Sequence, residues 1–392
     1  MGDIAGPNRP LTHPLAPYRV VDLTSDLGWL CGKILAELGA DVVKVEPPGG
    51  DKGRDGAAWR AHNVGKRGIT LDLDAGHDQE LLRGLTARAD FLIESFPPGH
   101  LAKRQLGWEA MHRRNPRLVM TSITPYGQNG PSAGSPASDL ELMAAGGAVW
   151  LAGEPDRPPV RISLPQAAGW ASSYAAAGTL IAHHHRAVTG RGQWVDVSAQ
   201  AAVLVATVHA PMFWDMVGTV PHRAGPFLVG RNVNGARVRN IWRCRDGYVS
   251  FALYGGAVGR RSTRAIVDWM AERGMAPEPA LEIDWESFEA PAADAELVDR
   301  LQEAIGRFLL TLTRREFFQG AIERRILGYL VATPDDVLAD EQLRARQAWQ
   351  ELGGARHPSG AIRFDGVPAR PRRGAPGLGE HTREVLGEVV GD

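Results

Sequence analysis

Three consecutive histidines, His183–His185, are the residues of this sequence that most readily suggest general-base chemistry. They lie near the end of a stretch rich in alanine and glycine. At its start, Gln166 is a neutral amide that could donate to an oxyanion. No Asp or Glu occurs between Asp156 and Asp196. The stretch therefore offers imidazole and amide groups, but no carboxylate nucleophile.

Metal coordination by these histidines or by the cysteines is not predicted. Successive helix residues are about 100° apart, so adjacent histidines face different sides and cannot form an i,i+4 zinc pair. The two cysteines, Cys31 and Cys244, are far apart and lack the spacing of metal ligands. Reduced thiols of this kind are typical of the cytoplasm, where disulfides are rare.

A helix, a turn and a strand are predicted to position this region. Pro165 precedes a helix over residues 167–187, which ends at the turn Thr189–Gln193. Trp194–Ser198 then alternates like a strand. Because small residues dominate the helix, another backbone can pack closely against it.

Upstream, apolar segments with strand character alternate with helical segments. Strands are predicted at residues 18–23, 41–46, 68–73, 91–94 and 118–123. This order predicts a parallel, doubly wound α/β domain that binds ligands at the carboxyl ends of its strands. The segment at the end of the first strand, residues 22–28, has no G-x-G-x-x-G motif, and this argues against a nicotinamide dehydrogenase.

The later part of the chain has a different pattern. Residues 199–216 are predicted to form one helix, and residues 241–251 a β-hairpin with Asp246-Gly247 as its turn. More heavily charged helices are predicted over residues 262–275 and 295–325. A chain of 392 residues exceeds a typical single domain, so these segments indicate a second, smaller domain.

Charge and hydropathy exclude several classes of partner. The net charge of −1 lacks the basic bias of proteins that bind nucleic acid or membrane surfaces. No apolar run approaches the roughly 18 residues of a spanning helix. The first residues lack the charged start and apolar core of a signal peptide. We therefore expect a cytoplasmic protein.

An ordered series of short motifs runs from about residue 17 to residue 388. The motifs are Val21–Thr24, Leu38–Pro47, Gly65–Leu73, Ala89–Gly99, Asn115–Val119, Thr189–Ser198, Cys244–Tyr248 and Gly379–Thr382. Together they resemble CoA-transferase family III (the CaiB/BaiF family), the group related to bacterial carnitine and bile-acid CoA-transferases. Each motif is weak alone, and the specificity lies in their order.

The resemblance implies an architecture that composition does not reveal. Family members have a Rossmann-like large domain made from both chain ends and a smaller α+β domain, and two chains interlock. Applied to this sequence, it predicts an N-terminal arm, the first part of the large domain, the small domain with linkers, and a return to the large domain with a C-terminal helix. These segments are residues 1–17, 18–220, 221–330 and 331–392.

The resemblance also implies a mechanism. In the family an aspartate attacks the acyl-CoA thioester, which gives a mixed anhydride and releases CoA thiolate; the thiolate then attacks the anhydride. That aspartate lies at the start of the small-residue helix. Counting back from Thr189 places it at Ala168, and no shift of the alignment supplies an acid there. The predicted active-site segment therefore lacks the family nucleophile.

Three explanations remain open. The first, which we favour, is a subunit without the nucleophile that acts with a homologous partner to move CoA between succinyl-CoA and an organic acid. The second is an active enzyme of altered chemistry, racemase-like or other, that uses Gln166 or His185. The third is a CoA-binding protein without turnover. CoA is a substrate in each of the first two, and no permanently bound cofactor is expected.

Candidate CoA contacts follow from the same resemblance. They are Ser25, Asn63, Lys66, Arg67, Ser95, Phe96, Lys103 and Arg104. The cations among them suit the phosphates of CoA. Asp26, in the loop that follows the first strand, would be unfavourable beside those phosphates.

A glycine-rich segment after the hairpin resembles a mobile loop of formyl-CoA transferase. Gly255, Gly256 and Gly259 are its glycines, and glycine permits close approach and hinge motion. A flexible loop over the active site is one interpretation. A plain connection between hairpin and helix is the other.

Overall fold

The computed structural model describes residues 13–228, 237–288 and 293–390. These residues form two compact units. The first contains the described parts of Met1–Ala148, Ile162–Val208 and Glu341–Asp392, and the second those of Val149–Arg161 and His209–Asp340. The boundaries predicted at residues 220/221 and 330/331 therefore move to 208/209 and 340/341, and residues 149–161 join the second unit.

Within the described part of the first unit, six parallel strands form one sheet in the order β3-β2-β1-β4-β5-β6. The strands are β1 Arg19–Leu23, β2 Asp41–Glu46, β3 Arg67–Thr70, β4 Phe91–Glu94, β5 Val119–Thr124 and β6 Trp194–Ser198. This order confirms the predicted α/β fold with a parallel sheet. The order reverses between β1 and β4, which is where doubly wound sheets bind ligands.

Helices cover both faces of this sheet. They are α1 Trp29–Glu37, α2 Ala57–Asn63, α3 Gly76–Ala87, α4 His100–Lys103, α5 Trp108–Arg114, α6 Asp139–Ala145, α7 Ala167–Thr189 and α8 Ala199–Ala206. On one face, Val21, Leu92 and Met120 pack with residues of α3 and α5. On the other, the hydroxyls of Thr121 in β5 and Thr179 in α7 are hydrogen-bonded at 2.7 Å. The sheet is therefore buried on both faces, as its apolar strands predict.

The second unit combines a small antiparallel sheet with helices. A 3₁₀ turn, Val149–Leu151, precedes α9 His209–Val217, β7 Ile241–Cys244, β8 Gly247–Phe251, α10 Gly256–Glu272, α11 Glu278–Leu281, α12 Ala295–Leu309, α13 Arg314–Arg324, β9 Gly328–Leu330 and α14 Pro334–Ala339. In the described residues these strands pair in the order β7-β8-β9. The helices pack an apolar core onto the sheet that includes Trp242, Phe251, Trp269 and Phe308.

The chain then returns to the first unit. Its remaining elements are α15 Glu341–Ala345, β10 Trp349–Leu352, β11 Ala355–Pro358, β12 Arg363–Phe364, β13 Val367–Pro368 and α16 Thr382–Val390. Val385 of α16 is buried in the core on the α3 face of the sheet. The first unit is thus built from both ends of the chain.

Several local predictions need correction. The single helix expected over residues 199–216 is two helices, because α8 ends at its C-cap Thr207 and α9 follows. The helical segment expected over residues 295–325 is also two helices, because Thr313 caps a new helix, α13. Cys244 pairs with Gly247, so Arg245 and Asp246 form the hairpin turn, one residue earlier than expected.

The predicted N-terminal arm, residues 1–17, is packed against the first unit where it is described. Leu15 is buried, and its N–H donates to the carbonyl of Leu38 at 2.9 Å. Residues 13–17 are therefore held against α1 by a buried side chain and a backbone hydrogen bond. Residues 1–12 of the predicted arm lie outside the described residues.

Candidate active site

The crevice between the ends of β1 and β4 brings together two of the predicted CoA contacts. The backbone N–H of Ser25 donates to Ser95 Oγ at 2.7 Å, and the two hydroxyls are 2.9 Å apart. These residues follow neighbouring parallel strands, whose carboxyl ends meet at one edge of the sheet. Asp26 is exposed in the same loop, and its Oδ1 accepts the N–H of Leu27. Two loops of the candidate site are thus joined directly.

The second turn of α7 approaches the same loop. Ser172 Oγ donates to the carbonyl of Leu27 at 3.0 Å. Ala168 lies one helical turn before Ser172 and is half-buried, so the two residues share a helix face. The residue at the counted position of the nucleophile therefore lies on the side of α7 that faces the crevice loop. Its methyl group has no nucleophilic chemistry.

An acid that the sequence reasoning missed holds the start of α7. Asp139 Oδ1 accepts the backbone N–H groups of Gln166 at 2.7 Å and of Ala167 at 2.8 Å. Asp139 itself begins α6, whose capping box Ser138–Glu141 is visible in the sequence. The capping box predicts a helix start there, but no local pattern predicts its contact with α7. Asp139 is thus a carboxylate held at the start of α7, although it lies outside residues 156–196.

The alternative candidates on α7 have other partners. The amide nitrogen of Gln166 donates to the carbonyls of Leu164 and Pro165, so this group caps local backbone. His185 is exposed, with Nδ1 3.4 Å from Thr189 Oγ1 in the last turn of the helix. His183 is half-buried, and burial, followed by the charge of Arg186, lowers its pKa. None of these contacts places an imidazole or the Gln166 amide in the crevice.

Three predicted CoA contacts have structural roles instead. Lys66 and Asn63 are fully buried, and Lys66 Nζ donates to Asp22 Oδ2 at 2.7 Å, to Asn63 Oδ1 at 2.8 Å and to the carbonyl of Trp29 at 2.9 Å. These bonds use all three ammonium donors. Burial alone would raise the pKa of Asp22, but the charges of Lys66 and Lys44 and hydrogen bonds from Lys66 and Thr24 hold that pKa below its usual range.

Arg67 is the third of these residues. It is largely buried, and its guanidinium forms ion pairs with Asp41, Glu384 and Glu388 at distances of 2.6 to 2.9 Å. Two of these carboxylates belong to α16, which explains how the C-terminal helix is held to β3. The expected contacts of Lys66, Asn63 and Arg67 with CoA are therefore corrected, because their polar groups are saturated inside the protein.

The remaining predicted contacts lie on the α4 segment. Phe96 is half-buried and stacks on His100, with ring centroids 4.4 Å apart. Lys103 is exposed, whereas Arg104 is paired with Asp74 at 2.6 Å and donates to the carbonyl of His100. An aromatic ring and an exposed cation therefore follow Ser95.

The glycine segment is helical rather than a loop. Gly255 is the N-cap of α10, and Gly256 and Gly259 lie within the helix. A Cβ at Gly259 would overlap Tyr254, so this glycine permits close packing at the start of α10. Of the two interpretations of this segment, the helix start at Gly255 favours the plain connection between hairpin and helix.

The structure bears on two further classes of function. No group of three or more metal-ligating side chains occurs within residues 13–228, 237–288 and 293–390. Over the same ranges, no helix is both long and apolar enough to cross a membrane.

Comparisons with known proteins agree with the fold and the motifs. The model of CoA-transferase family III matches residues 15–382. The chain is 34% identical to subunit BbsE of succinyl-CoA:(R)-benzylsuccinate CoA-transferase from Thauera aromatica, over 95% of this chain and 93% of the relative. It is 30% identical to the beta subunit of succinyl-CoA–L-malate CoA-transferase from Chloroflexus aurantiacus, over 97% and 95%.

A solved structure extends the likeness to three dimensions. A CaiB/BaiF family protein from Brucella suis superimposes with a TM-score of 0.84 at 28% identity, covering 96% of this chain and 99% of that one. The switch-point crevice, the ordered motifs and these matches lead to one assignment. The chain belongs to CoA-transferase family III, whose members act on CoA thioesters.

Proposed function

We propose that this chain is the subunit without the nucleophile in a heteromeric CoA-transferase that moves CoA between succinyl-CoA and an organic carboxylic acid. A homologous partner supplies the aspartate that attacks the thioester. This chain contributes the second copy of the CoA-transferase fold in the assembly and helps to form the assembly's structure. Acyl-CoA substrates are intracellular, which supports the cytoplasmic location expected from the sequence.

The observation that carries the proposal is Ala168. It lies in the first turn of α7, on the face that Ser172 joins to the crevice loop. A methyl group there cannot attack a thioester or form an anhydride. The surrounding scaffold, with Ser25 joined to Ser95 and Asp139 holding the helix start, is nevertheless intact. A site that keeps its surrounding structure but lacks the nucleophile is what we expect of a subunit whose partner supplies that group.

Two further observations support a partner. Both relatives named above are described as subunits of succinyl-CoA-dependent transferases. In addition, Tyr174, Ile181 and Val188 form an apolar stripe along α7, here called the α7 stripe, with side chains 45%, 70% and 75% exposed. Their heptad spacing places them on one helix face, which is typical of helix association. We assign this face to an interlocked partner chain.

Binding of CoA to this chain is part of the proposal. Ser25, Ser95 and Phe96 line the crevice side of the sheet, and Lys103 is an exposed cation on the following helix. A phosphate group of CoA suits this cation. Asp26 opposes phosphate binding in its immediate vicinity, which favours a position of the nucleotide nearer Lys103.

A second candidate function rests on Asp139. Its carboxylate binds the N–H of Ala167, the residue before Ala168, and could replace the missing nucleophile in an independently active enzyme. Its attack on a thioester carbonyl would form a mixed anhydride and release CoA thiolate. However, Oδ1 already accepts two backbone N–H groups, and such bonds make a carboxylate less nucleophilic. The partner-subunit function is therefore the better supported.

The test compares the chain alone with the chain co-expressed with a homologous neighbour. CoA exchange from succinyl-CoA to candidate acids is measured by chromatography of the thioesters. We expect turnover only in the mixed preparation. Turnover by the purified homodimer contradicts the partner function, and its loss in Asp139→Asn would then establish the second candidate. CoA binding without turnover in either preparation would indicate a binding protein.

Restoring the acid gives an independent check. In Ala168→Asp, the chain alone should form a covalent CoA thioester or anhydride at residue 168, detected by hydroxylamine trapping and peptide mass spectrometry. Ala177→Asp, at an exposed position of the same helix, is the matched control and should form none. Equal labelling of both variants would contradict the assignment of position 168.

A further inference from the structure

Glu94 is a buried carboxyl group directly beneath the candidate CoA segment. It is the last residue of β4 and is 4% exposed. Its Oε2 accepts the backbone N–H of Phe96 at 2.7 Å. Ser95, between them, bonds to Ser25 across the crevice. The carboxyl group therefore fixes the turn that presents Ser95 and Phe96.

Neighbouring strands hold Glu94 in turn. Glu94 pairs in register with Ser122 of β5, which pairs with Asp196 of β6, so the three side chains form one row across the sheet. The indole N–H of Trp194 donates to Ser122 Oγ at 2.9 Å. The Ser122 hydroxyl hydrogen is then free to bond Glu94, an interaction that also acts on the Glu94 pKa. Trp194 and Ser122 thus extend a polar row from β6 across β5 to Glu94.

The surroundings of Glu94 fit a supporting role rather than contact with ligand. A cavity of about 300 Å³ lies beside it, lined by apolar groups such as Leu101 and Trp108. Besides Glu94 itself, the ionisable groups lining this cavity are Glu109 and Arg113 of α5, and Asp196 acts on Glu94 from β6. Ser172, which marks the Ala168 side of the site, belongs to α7 on the other face of the sheet.

We propose that Glu94 is a positioning residue: through its hydrogen bond to the Phe96 N–H, it holds the Ser95–Phe96 segment in the geometry that binds CoA. Ser122 and Trp194 orient its carboxyl group. The inference rests on the proposed CoA site at this crevice. It assigns Glu94 a role in ligand affinity without direct contact with the ligand.

The test uses the full chain, with its partner subunit where the two co-purify, and CoA as the probe. Glu94→Ala removes the acceptor, whereas Glu94→Gln keeps an amide oxygen that can accept the Phe96 N–H. We expect Glu94→Ala to weaken CoA binding about tenfold in calorimetry, and Glu94→Gln to restore most of the affinity. Glu109→Gln, on the same cavity but exposed, is the matched control and should bind like wild type.

Hydrogen exchange reports on positioning without any ligand. In Glu94→Ala, the peptide that contains Phe96 should exchange faster, while peptides of α7 keep their protection. Unchanged CoA affinity in a folded Glu94→Ala protein overturns the role of Glu94 alone. If the wild-type protein binds no CoA, the proposed CoA site is wrong as well. Failure of the Glu94 role and failure of the CoA site therefore give different results. An equal loss of affinity in the Ala and Gln variants would also overturn the positioning role.

Discussion

Lys66 and Lys103 both belong to segments that the sequence assigns to CoA, but their side chains lie in opposite environments. Lys66 is completely buried and forms an ion pair with buried Asp22. Lys103 is exposed on α4. A buried charge is costly to leave unpaired, whereas an exposed lysine is hydrated and free to meet a ligand. The same residue type is therefore structural at position 66 and accessible to a ligand at position 103.

Substitution of both lysines by methionine separates these roles. Lys66→Met removes the ion-pair partner of the buried Asp22 carboxylate and should lower the free energy of unfolding by about 3–5 kcal/mol. Lys103→Met should change it by less than about 0.5 kcal/mol, but weaken CoA binding. Urea denaturation and calorimetry with CoA measure the two effects. A stable Lys66→Met protein with reduced CoA affinity would restore the role predicted from the sequence.

Glu94 should make stability depend on pH. The pKa of Glu94 is raised to about 7, mainly by burial. Hydrogen bonds from Ser122 and Phe96 lower this pKa, and the charge of Asp196 raises it. The folded state therefore binds this proton more tightly than the unfolded state, where the pKa is near 4.5. The stabilisation by protonated Glu94 is complete below about pH 4.5 and is lost as the pH rises to about 7.

The expected loss over this range is at most about 3.5 kcal/mol, at about 1.4 kcal/mol per pH unit. Glu94→Gln, which does not ionise, should remove this part of the pH dependence. Urea denaturation of both proteins between pH 5 and pH 8 measures it. Parallel stability curves for wild type and Glu94→Gln would contradict the raised pKa.

At the scale of elements, α7 begins at a fixed point because another helix supplies its cap. Asp139 of α6 accepts two N–H groups at the start of α7, and Ser172 joins its next turn to the crevice loop. The negative charge at a helix N-terminus is also favourable to the helix dipole. The position of Ala168 is thus fixed by a tertiary contact before it, from Asp139, and by one after it, through Ser172.

Removal of this cap should destabilise the protein. Asp139→Ala is expected to lower the free energy of unfolding by about 1–2 kcal/mol, because two backbone N–H groups lose their acceptor. Thermal and urea unfolding measure the change. Asp156→Ala, which removes an exposed acid, is the control and should be nearly neutral. An equal effect of both substitutions would show that Asp139 does not cap α7.

At the scale of the whole molecule, one feature that the fold of a single chain does not explain is exposed apolar surface on a long helix. The α7 stripe exposes Tyr174, Ile181 and Val188 along one face. Exposed apolar side chains that extend over several helical turns mark association surfaces in soluble proteins. The proposed assembly gives this surface a partner.

Charge placed on the stripe should weaken assembly without unfolding the chain. Ile181→Glu is expected to raise the dissociation constant of the oligomer at least tenfold, since a charge would be buried at the contact. Sedimentation measures the association, and circular dichroism checks the fold. Ile322→Glu, at an exposed apolar position of α13, is the matched control. Unchanged association in Ile181→Glu would exclude α7 from the interface.

The sequence predicts the strands of the main sheet closely, because alternation and apolar runs are properties of neighbouring residues. It predicts helix breaks less well: Thr207 ends α8 inside a segment that remains apolar, so periodicity alone gives no signal. It also leaves two interpretations of the glycine segment open, because the close approach of Gly259 to Tyr254 is a property of the folded chain.

The sequence by itself determined the order of the family motifs and the absence of an acid between Asp156 and Asp196, since both are properties of the linear chain. Tertiary structure alone decided which polar groups remain available. Lys66 meets Asp22 across 44 residues, and Asp139 meets Ala167 across 28. Burial and hydrogen-bond partners are set by such distant contacts, which is why local spacing could not separate a ligand contact from a structural ion pair.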